Sequence, residues 1–291
     1  MIDKLEMFIA LAREEHFGRA AEACGVAQPS LSAAIKQLED QLGVTLVSRG
    51  SRYRGLTPEG ERALDWARRM VADARALRAD MRGAQGGLSG NLRLAAIPTA
   101  LPFVSRLTAD FAAKRPNVRV TVLSRTSSDI LAMLENVEID AGISYLDNEP
   151  LGRLTALPLY EERYTLVTRT DGPLAARARV NWAELADLPL CLLTPDMQNR
   201  RIIDRHLGDG ARPRIVSNSV IVLMSHVLAG GWATILPATT AAFFLGGHAD
   251  LRAIPIEGPD TRHAVGLIAS PRAPTPLLAA LMRQAEAAAV Q

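Results

Sequence analysis

Four polar side chains in one short window belong to residue types that proteins use to contact DNA: Gln28, Ser30, Ser32 and Lys36. A glutamine bonds an adenine edge through two hydrogen bonds, a serine reaches a base or a phosphate, and a lysine neutralises a phosphate. Apolar residues recur between them at steps of three and four, which predicts one amphipathic helix: Leu31, Ile35, Leu38 and Leu42. A solvated helix face has the same pattern, so this window alone leaves DNA contact and ordinary solvation open.

The surrounding residues predict a helix-turn-helix over residues 19–43. A small-residue pattern ending at Cys24 marks a first short helix, and Gly25 then suits the left-handed conformation that ends a helix sharply. Pro29 is tolerated in the first turn of the second helix, where its missing N–H has no intrahelical partner. Two helices joined by a tight turn form a DNA-binding motif whose second helix enters the major groove.

A basic hairpin is predicted to follow. The segments 44–47 and 53–56 have the character of short strands, and they flank a turn that carries Arg49, Arg52 and Arg54. Beside a helix-turn-helix, such a wing is expected to lie along the phosphate backbone or the minor groove. A solvated arginine-rich turn is the alternative.

A long helix is predicted next, from Pro58, with Thr57 as its N-cap, to about Gly83. Its apolar residues approximate a heptad seam: Leu64, Ala67, Val71, Ala74 and Met81. We expect this seam to have no partner in its own domain and therefore to pair with the same helix of a second chain. Four glycines in the segment 83–90 then predict a flexible hinge.

The pattern changes after Asn91 to short apolar strands that alternate with helices. Strands are expected at 92–97, 118–123 and 139–144, with helices at 101–115 and 127–137, which predicts a parallel sheet. A crossing strand at 163–168 leads to a second lobe, with strands at 188–193, 214–218 and 232–237 and helices at 198–207 and 219–229. The segment 263–270 is expected to return to the first lobe, and 275–290 to form a closing helix.

The first 60 or so residues resemble the winged helix-turn-helix of LysR-type transcriptional regulators. The resemblance rests on a helix at 2–14 followed by HFGRAAEACGVAQPSLSAAIKQLEDQLGVTLVSRGSRYRGLTPEGERAL. It implies an α/β protein with a DNA-binding domain at 1–57, a linker helix and hinge at 58–90, and a two-lobed regulatory domain of periplasmic-binding-protein type. That domain is expected over 91–291, with lobe 1 at 91–162 and 268–291 and lobe 2 at 163–267. Ala27 and Ala33 depart from the pattern, which removes an N-cap and one potential DNA contact.

A small effector is expected between the two lobes, because strand ends and helix N-termini favour bound anions. The residues in these loops, several at positions where the family binds its effectors, are Pro98, Thr99, Thr126, Ser127, Ser128, Met197, Asn199, Arg200 and Asn218. Each hydroxyl is equally compatible with a helix cap. Together with Arg200 or Arg201 they predict a small carboxylate or similar anion. The run TPDMQNRRIID also resembles regulators that accompany formate dehydrogenase genes, which adds a one-carbon acid to the candidates.

Composition and motifs argue against other classes of function. Apolar residues make up 48% and charged residues 22%, as in ordinary globular proteins, and the net charge of +2 does not by itself indicate nucleic acid. We find no phosphate loop, nucleophile elbow or zinc-protease motif, so an enzyme is disfavoured. A transport-type solute-binding protein is disfavoured by the N-terminal helix-turn-helix and by the charged N-terminus, which lacks a signal-peptide core.

The expected partners are double-stranded promoter DNA, the effector, further copies of the chain in a dimer or tetramer, and RNA polymerase. No apolar run has the length of a membrane span, and a cytoplasmic location is expected. Cys24 and Cys191 are predicted to be buried structural thiols. The five histidines are scattered, so neither a metal site nor a cofactor is predicted.

Overall fold

The computed structural model describes residues 1–49, 53–83, 88–147, 150–208, 212–258, 262–271 and 274–289, apart from the side chains of residues 49, 79, 80, 82 and 83. The chain forms two compact units, one built on Met1–Leu88 and the other on most of the chain from Ser89 onward. The helices are α1 Ile2–Glu14, α2 Phe17–Ala23, α3 Gln28–Leu42, α4 Pro58–Gly83, α5 Leu101–Ala113, α6 Ser127–Glu135, α7 Gln198–Leu207, α8 Val220–Ala229, α9 Ala238–Leu245 and α10 Pro276–Ala289. The strands are β1 Val47–Arg49, β2 Tyr53–Leu56, β3 Gly90–Ala96, β4 Val118–Ser124, β5 Ala141–Tyr145, β6 Thr155–Glu162, β7 Tyr164–Arg169, β8 Val180–Asn181, β9 Cys191–Leu193, β10 Ile215–Ser217, β11 Thr234–Pro237, β12 Leu251–Glu257 and β13 His263–Ala269.

The first unit contains the predicted helix-turn-helix. Gly25 lies between α2 and α3 with φ +66°, a conformation that side chains rarely adopt, so the sharp turn depends on glycine. Helix α3 begins after Ala27 without a side-chain cap, as expected. Its residues Leu31, Ile35 and Leu38 are fully buried, whereas Leu42 in the last turn is 46% exposed. The apolar row of α3 therefore covers the core only as far as Leu38.

The wing is a two-stranded antiparallel hairpin of β1 and β2. Its first strand begins at Val47, so the expectation of a strand from residue 44 was wrong for the first three residues. The buried carboxylate of Glu39 on α3 accepts hydrogen bonds from the backbone N–H groups of Leu46, at 2.9 Å, and Val47, at 3.2 Å. These two bonds attach the start of the wing to the last turns of α3.

Helix α4 begins as predicted, because Thr57 Oγ1 accepts a hydrogen bond from the Gly60 N–H at 2.9 Å. Its seam contradicts the expectation that it has no partner in its own domain. Leu64, Ala67 and Val71 are 7%, 1% and 1% exposed and belong to the core that α1 and α3 also form. Ala74 is half-buried, and Met81 is exposed.

A different stripe of α4 is apolar and exposed. It contains Trp66, Met70, Leu77 and Met81. At about 100° per residue, these four positions fall within about 60° of one another, on the side away from Leu64. The helix thus has two apolar faces, one for its own core and one directed to solvent.

The second unit contains two lobes, and the first is built on a five-stranded mixed sheet. The strand order is β4-β3-β5-β13-β6, in which β3 is parallel to both β4 and β5. Strand β13 is antiparallel to β5 and β6, so only the first three strands form the predicted parallel sheet. The sequence patterns did not predict β6. The chain has returned to lobe 1 by His263, earlier than the boundary expected at residue 268.

The second lobe combines a four-stranded sheet, β11-β7-β12-β8, with the parallel pair β9 and β10. A parallel bridge between Leu190 and Ala233 joins the two. Helices α7 and α8 were predicted, whereas α9 and β12 were not. Two crossings connect the lobes, one between β6 and β7 at Arg163 and one between Glu257 and His263. Every helix of the described residues is too short or too polar to span a lipid bilayer.

Candidate nucleic-acid interface and effector site

The predicted DNA-contacting residues of α3 lie at the surface of the first unit. Gln28, Pro29, Ser30 and Lys36 are exposed, and Ser32 is half-buried. Because α3 has no side-chain cap, its first-turn N–H groups have no side-chain acceptor, and a phosphate is a suitable partner for them. The start of α3 therefore presents a side-chain amide, hydroxyls and backbone donors together.

Helix α2 is positioned beside this surface by its own cap. His16 Nδ1 accepts hydrogen bonds from the backbone N–H groups of Gly18, at 3.1 Å, and Arg19, at 3.3 Å. A Cβ atom at Gly18 would lie 3.1 Å from the His16 ring and 3.7 Å from Gln28 Oε1. The absence of a side chain at Gly18 thus leaves room for the imidazole cap.

The wing arginines are only partly described. Arg54 lies in β2 and is exposed. Arg49 belongs to β1, but its side chain lies outside the described atoms, and Arg52 lies outside the described residues. The hairpin scaffold is therefore present, and phosphate contact by its arginines stays a prediction.

In lobe 1, some of the predicted effector residues are buried, and others form hydroxyl contacts at the start of α6. Pro98 and Thr99, which follow β3, are buried, as is Ser127 at the start of α6. Thr126 is a helix cap, because its Oγ1 accepts a hydrogen bond from the Asp129 N–H at 3.1 Å. Ser128 is exposed and lies 3.0 Å from the same hydroxyl.

In lobe 2, the two neighbouring arginines at the start of α7 have different roles. Arg200 is directed into its own lobe, with Nε 2.6 Å from Asp204 Oδ1 and a terminal nitrogen 2.9 Å from the Leu193 carbonyl oxygen. Arg201 extends to lobe 1, where it donates a hydrogen bond to Ser127 Oγ at 3.4 Å. Arg201, and not the predicted Arg200, is therefore the arginine that contacts the other lobe.

The remaining predicted residues of lobe 2 also differ from one another. Met197 and Asn199 are buried near the start of α7, whereas Asn218 is exposed. Asn199 Nδ2 donates a hydrogen bond to the Tyr164 hydroxyl at 3.3 Å. Asn199 therefore connects the predicted site to a group of residues that the sequence patterns did not reveal.

That group is a buried polar network at the lobe junction, and Glu162 is its centre. The Tyr145 hydroxyl donates a hydrogen bond to Glu162 Oε2 at 2.7 Å and lies 3.4 Å from the Tyr164 hydroxyl. Together with the Asn199 bond, these contacts form a continuous path from α7 of lobe 2 to β6 of lobe 1. We call Tyr145, Glu162, Tyr164 and Asn199 the inter-lobe network.

Burial changes the ionisation of this network. Desolvation raises the pKa of Glu162 to about 8, although hydrogen bonds from Tyr145, Tyr160 and Thr99 oppose the shift. The same burial, together with the nearby Glu162, raises the pKa of Tyr145, Tyr160 and Tyr164 well above the ordinary value. At neutral pH the carboxyl group of Glu162 is therefore mostly protonated, and it can donate as well as accept a hydrogen bond.

Several polar atoms of this region lack a hydrogen-bond partner of normal geometry among the described residues: Thr99 Oγ1, Tyr160 OH, Glu162 Oε1 and Asn199 Oδ1. Buried polar groups are nearly always hydrogen-bonded, to protein or to a bound molecule. Three of these atoms belong to Thr99, Tyr160 and Glu162, which interact with one another and so partly satisfy each other.

A cleft of about 1010 Å³ opens at the lobe junction beside the network. It shares Tyr164 and His263 with the surroundings of Glu162, since both Tyr145 and Tyr164 pack edge-on against the His263 ring. Asp147 also lines it, 2.9 Å from His263 Nδ1. Both basic and acidic side chains line the rim, and Arg179 forms an ion pair with Glu257. In the described part of the chain, no group of three acidic, histidine or cysteine side chains is arranged to hold a metal ion.

The sequence contained one signal for the network. Residues 161 and 163 are exposed, whereas the alternate residues Glu162 and Tyr164 are buried. This is the period-two alternation of an extended chain, and it places Tyr160, Glu162 and Tyr164 on the inward side. A charged residue at an inward position of an apolar strand is unusual enough to be informative.

Comparisons with known proteins agree for both units. Residues 2–61 match the family model of the bacterial regulatory helix-turn-helix protein of the lysR family, and residues 85–289 match the LysR substrate binding domain. A probable hydrogen peroxide-inducible genes activator of Mycobacterium avium is 32% identical over 273 residues, covering 92% of this chain and 83% of the relative.

Two solved structures of similar length also resemble this chain in fold. A full-length cysteine-to-aspartate variant of OxyR from Pseudomonas aeruginosa is 26% identical, with a TM-score of 0.73 over 98% of this chain and 94% of that one. A cysteine-to-serine variant of Corynebacterium glutamicum OxyR with bound H2O2 is 26% identical, with a TM-score of 0.57 over 100% and 95%. These relatives are transcriptional regulators and not enzymes, in agreement with the prediction from the motifs. The chain belongs to the LysR family of DNA-binding transcriptional regulators.

Proposed function

We propose that this regulator reads its operator through the start of α3 and the wing, and that a small molecule between the two lobes switches the resulting complex. The observation that carries the second part is the inter-lobe network, a continuous path of hydrogen bonds from Asn199 to Glu162. A ligand shifts a conformational equilibrium only if it binds one state better than the other. A molecule that bonds to residues of both lobes meets this condition, because any change in lobe closure alters its contacts.

Base reading is assigned to Gln28 and Ser32, and phosphate contact to Lys36, Arg49, Arg52 and Arg54, with Pro29 and Ser30 beside them. The regulator is expected to act in the cytoplasm, where a change in the bend of the bound DNA would reach RNA polymerase. Support comes from the exposure of the α3 residues and from the uncapped start of this helix.

Self-association is assigned to the exposed stripe of α4, with a second copy of the chain as its partner. Trp66 and Leu77 are 63% and 61% exposed and share one side of a 26-residue helix with Met70 and Met81. Side chains spaced in this way pack against an identical helix as in a coiled coil. This interface takes the place of the predicted one through Leu64, Ala67 and Val71, because those residues belong to the core of their own unit. It would form a dimer, and further contacts would extend the dimer to a tetramer.

Hydrogen peroxide is one candidate effector, because the relatives are named for it. A thiol-based response is disfavoured in this chain, which has only two cysteines. Cys191 is buried and desolvation raises the pKa of its thiol to about 11, which suppresses the reactive thiolate, and Cys24 belongs to the DNA-binding unit. Peroxide would then act by binding, as a small polar guest.

A small organic acid, formate included, is the second candidate. The observation that favours it is the bond from Arg201 to Ser127, which places a guanidinium group and a buried hydroxyl at the cleft. A carboxylate accepting from both would hold the two lobes together. Thr99 and the N-terminal residues of α6 then belong to the surroundings of the ligand.

Footprints of the full-length chain on its operator test the proposal. The wild type and the double variant Thr99→Ala/Ser127→Ala are compared with and without peroxide or formate. The wild-type footprint is expected to change with one of them, and the variant is expected to bind the operator normally but without this change, since neither residue belongs to the DNA-binding unit. A variant that responds at the wild-type concentration would place the signal elsewhere.

A further inference from the structure

We propose that Thr240 is a positioning residue: its hydroxyl holds the turn Pro98–Ala100 of lobe 1 against helix α9 of lobe 2, and so sets how easily the two lobes separate. Thr240 belongs to none of the predicted sites, and its role is the same whichever effector binds. The proposed function enters only in that a change in lobe closure is taken as the signal.

The contact is a short hydrogen bond from a side chain to the main chain. Thr240 Oγ1 donates to the Thr99 carbonyl oxygen at 2.6 Å, and the two residues are 1% and 2% exposed. The contacts that Arg201 and Tyr164 of lobe 2 make with lobe 1 are both 3.4 Å long. Because a buried hydrogen bond is costly to break when nothing replaces it, the bond of Thr240 opposes separation of the lobes.

The sequence of lobe 1 keeps the acceptor available. Residues 98–100 form one three-ten turn, in which the Ala100 N–H donates to the Ile97 carbonyl oxygen at 2.9 Å. The same pattern continued by two residues would give the Thr99 carbonyl oxygen a donor at residue 102, which is a proline and has no N–H group. A donor from another segment can therefore take this position, and Thr240 supplies it.

Helix α9 is itself attached to the crossing between the lobes. Its first residue, Ala238, donates its N–H to the carbonyl oxygen of Arg163 at 2.7 Å, and Arg163 is the residue that joins β6 to β7. Thr240 lies in the first turn of the same helix, and α9 also packs against α5, which directly follows the 98–100 turn. A movement of lobe 2 about this crossing is thus transmitted to lobe 1 through less than one turn of helix.

The main-chain acceptor separates this bond from the contacts of an effector. Thr99→Ala retains the carbonyl oxygen, so the double variant Thr99→Ala/Ser127→Ala keeps the bond while it loses two hydroxyls. A change at position 240 does the reverse, because it removes the bond and leaves the predicted effector residues in place. The two kinds of variant therefore separate effector binding from lobe closure.

Hydrogen exchange of the full-length chain, without any ligand, tests the bond. Thr240→Val has nearly the same shape but no donor, and we expect exchange in the lobe 1 segment 97–107 to become about fivefold faster. Thr240→Ser keeps the hydroxyl and should restore the wild-type rate. Thr239→Val, at the exposed neighbouring position, is the matched control.

Three results of this experiment would overturn the inference. Exchange could be unchanged in Thr240→Val, it could become faster only within α9, or Thr240→Ser could behave like Thr240→Val. Thr240→Ala, which also lacks the donor, takes the place of the valine variant if that variant does not fold.

Operator footprints with peroxide and with formate measure the consequence for the switch. A ligand that contacts both lobes binds best when they are closed, so Thr240→Val should need a concentration of the active compound that is higher by about threefold or more, at unchanged operator affinity. An unchanged or lower concentration would contradict the positioning role of Thr240. If neither compound changes the wild-type footprint, the proposed function fails, whereas the exchange rates still decide whether the bond holds the lobes.

Discussion

The predicted DNA-contacting surface and the inter-lobe network are assembled in opposite ways. The first consists of exposed side chains from one stretch of 15 residues on α3, with a hairpin directly after it. The second consists of buried side chains from positions as distant as Tyr145 and Asn199, which meet only when two lobes have formed. A surface that binds a large charged polymer needs local order and exposure, whereas a site for a small molecule needs groups enclosed from several directions.

The two regions also differ in how charge is used. The α3 surface keeps its lysine in solvent, where a cation costs little and attracts phosphate. The network places a carboxyl group out of water and neutralises it by raising its pKa. Charge is thus kept in solvent on the α3 surface and suppressed by burial in the network.

The largest effect is expected on helix α4, where Val71 and Leu77 form a matched pair. Val71→Glu places an unpaired charge in the core of the first unit, and we expect a loss of about 4 kcal/mol or more in its stability. Leu77→Glu should leave stability nearly unchanged and lower self-association. Calorimetry and light scattering measure the two properties. The division of α4 into two faces is wrong if Leu77→Glu unfolds the unit. It is also wrong if the double variant Trp66→Glu/Leu77→Glu still forms the wild-type oligomer.

The second effect is a pH dependence that belongs to the second unit alone. The pKa of Glu162 is raised from its ordinary value of 4.5 to about 8 in the folded chain, so the folded state binds more protons than the unfolded state between these values. Its contribution to stability is fully present below the ordinary value, declines as the pH rises, and is lost above about pH 8. Glu162→Gln should therefore gain about 1–3 kcal/mol relative to the wild type between pH 5 and pH 8.

Denaturant unfolding at a series of pH values measures this difference. Glu161→Gln serves as the control and should show a flat difference from the wild type, since its carboxylate is exposed. If the difference in unfolding free energy between the wild type and Glu162→Gln is the same at pH 5 and at pH 8, the carboxyl group of Glu162 is ionised in the folded chain.

The third effect separates base reading from phosphate contact on α3. Gln28→Ala is expected to relax the preference at one operator position, by about 1–3 kcal/mol of discrimination. Lys36→Ala should weaken binding to all sequences alike and reduce its salt dependence. Selection from a randomised operator library, repeated at two salt concentrations, measures both. An unchanged preference after Gln28→Ala would place base reading on other residues.

The smallest effect is expected from the cap that joins the wing to α4. Thr57→Ala removes the acceptor for the Gly60 N–H and the donor to the Thr45 carbonyl oxygen, and should cost about 0.5–2 kcal/mol. Thr57→Ser keeps both bonds and serves as the control. The melting temperature of the first unit is the measurement, and equal melting temperatures of the two variants would show that the cap bond contributes nothing.

Local patterns were sufficient for the helices and the turn of the first unit and for part of the alternation of elements in the second. The row Leu31, Ile35 and Leu38, the glycine turn and the Thr57-Pro58 start each depend on neighbours within a few residues, so the sequence specifies them directly. The strands β3 and β5 could be predicted because buried parallel strands are nearly continuous apolar runs, and β4 because its apolar and polar residues alternate. Strands β6 and β12 could not, because their exposed polar residues and prolines interrupt such runs.

Only the tertiary structure decided which of two equivalent local patterns is used. Helix α4 has two apolar faces, and the sequence does not state which one meets α1 and α3. Arg200 and Arg201 are chemically identical neighbours, but a 100° step along α7 directs one to Asp204 and the other to Ser127. Glu162 is one of two adjacent glutamates, and only its inward position gives it a raised pKa. Residue type and spacing determine the helices and strands, whereas burial and the partner on a distant segment determine the chemistry of each side chain.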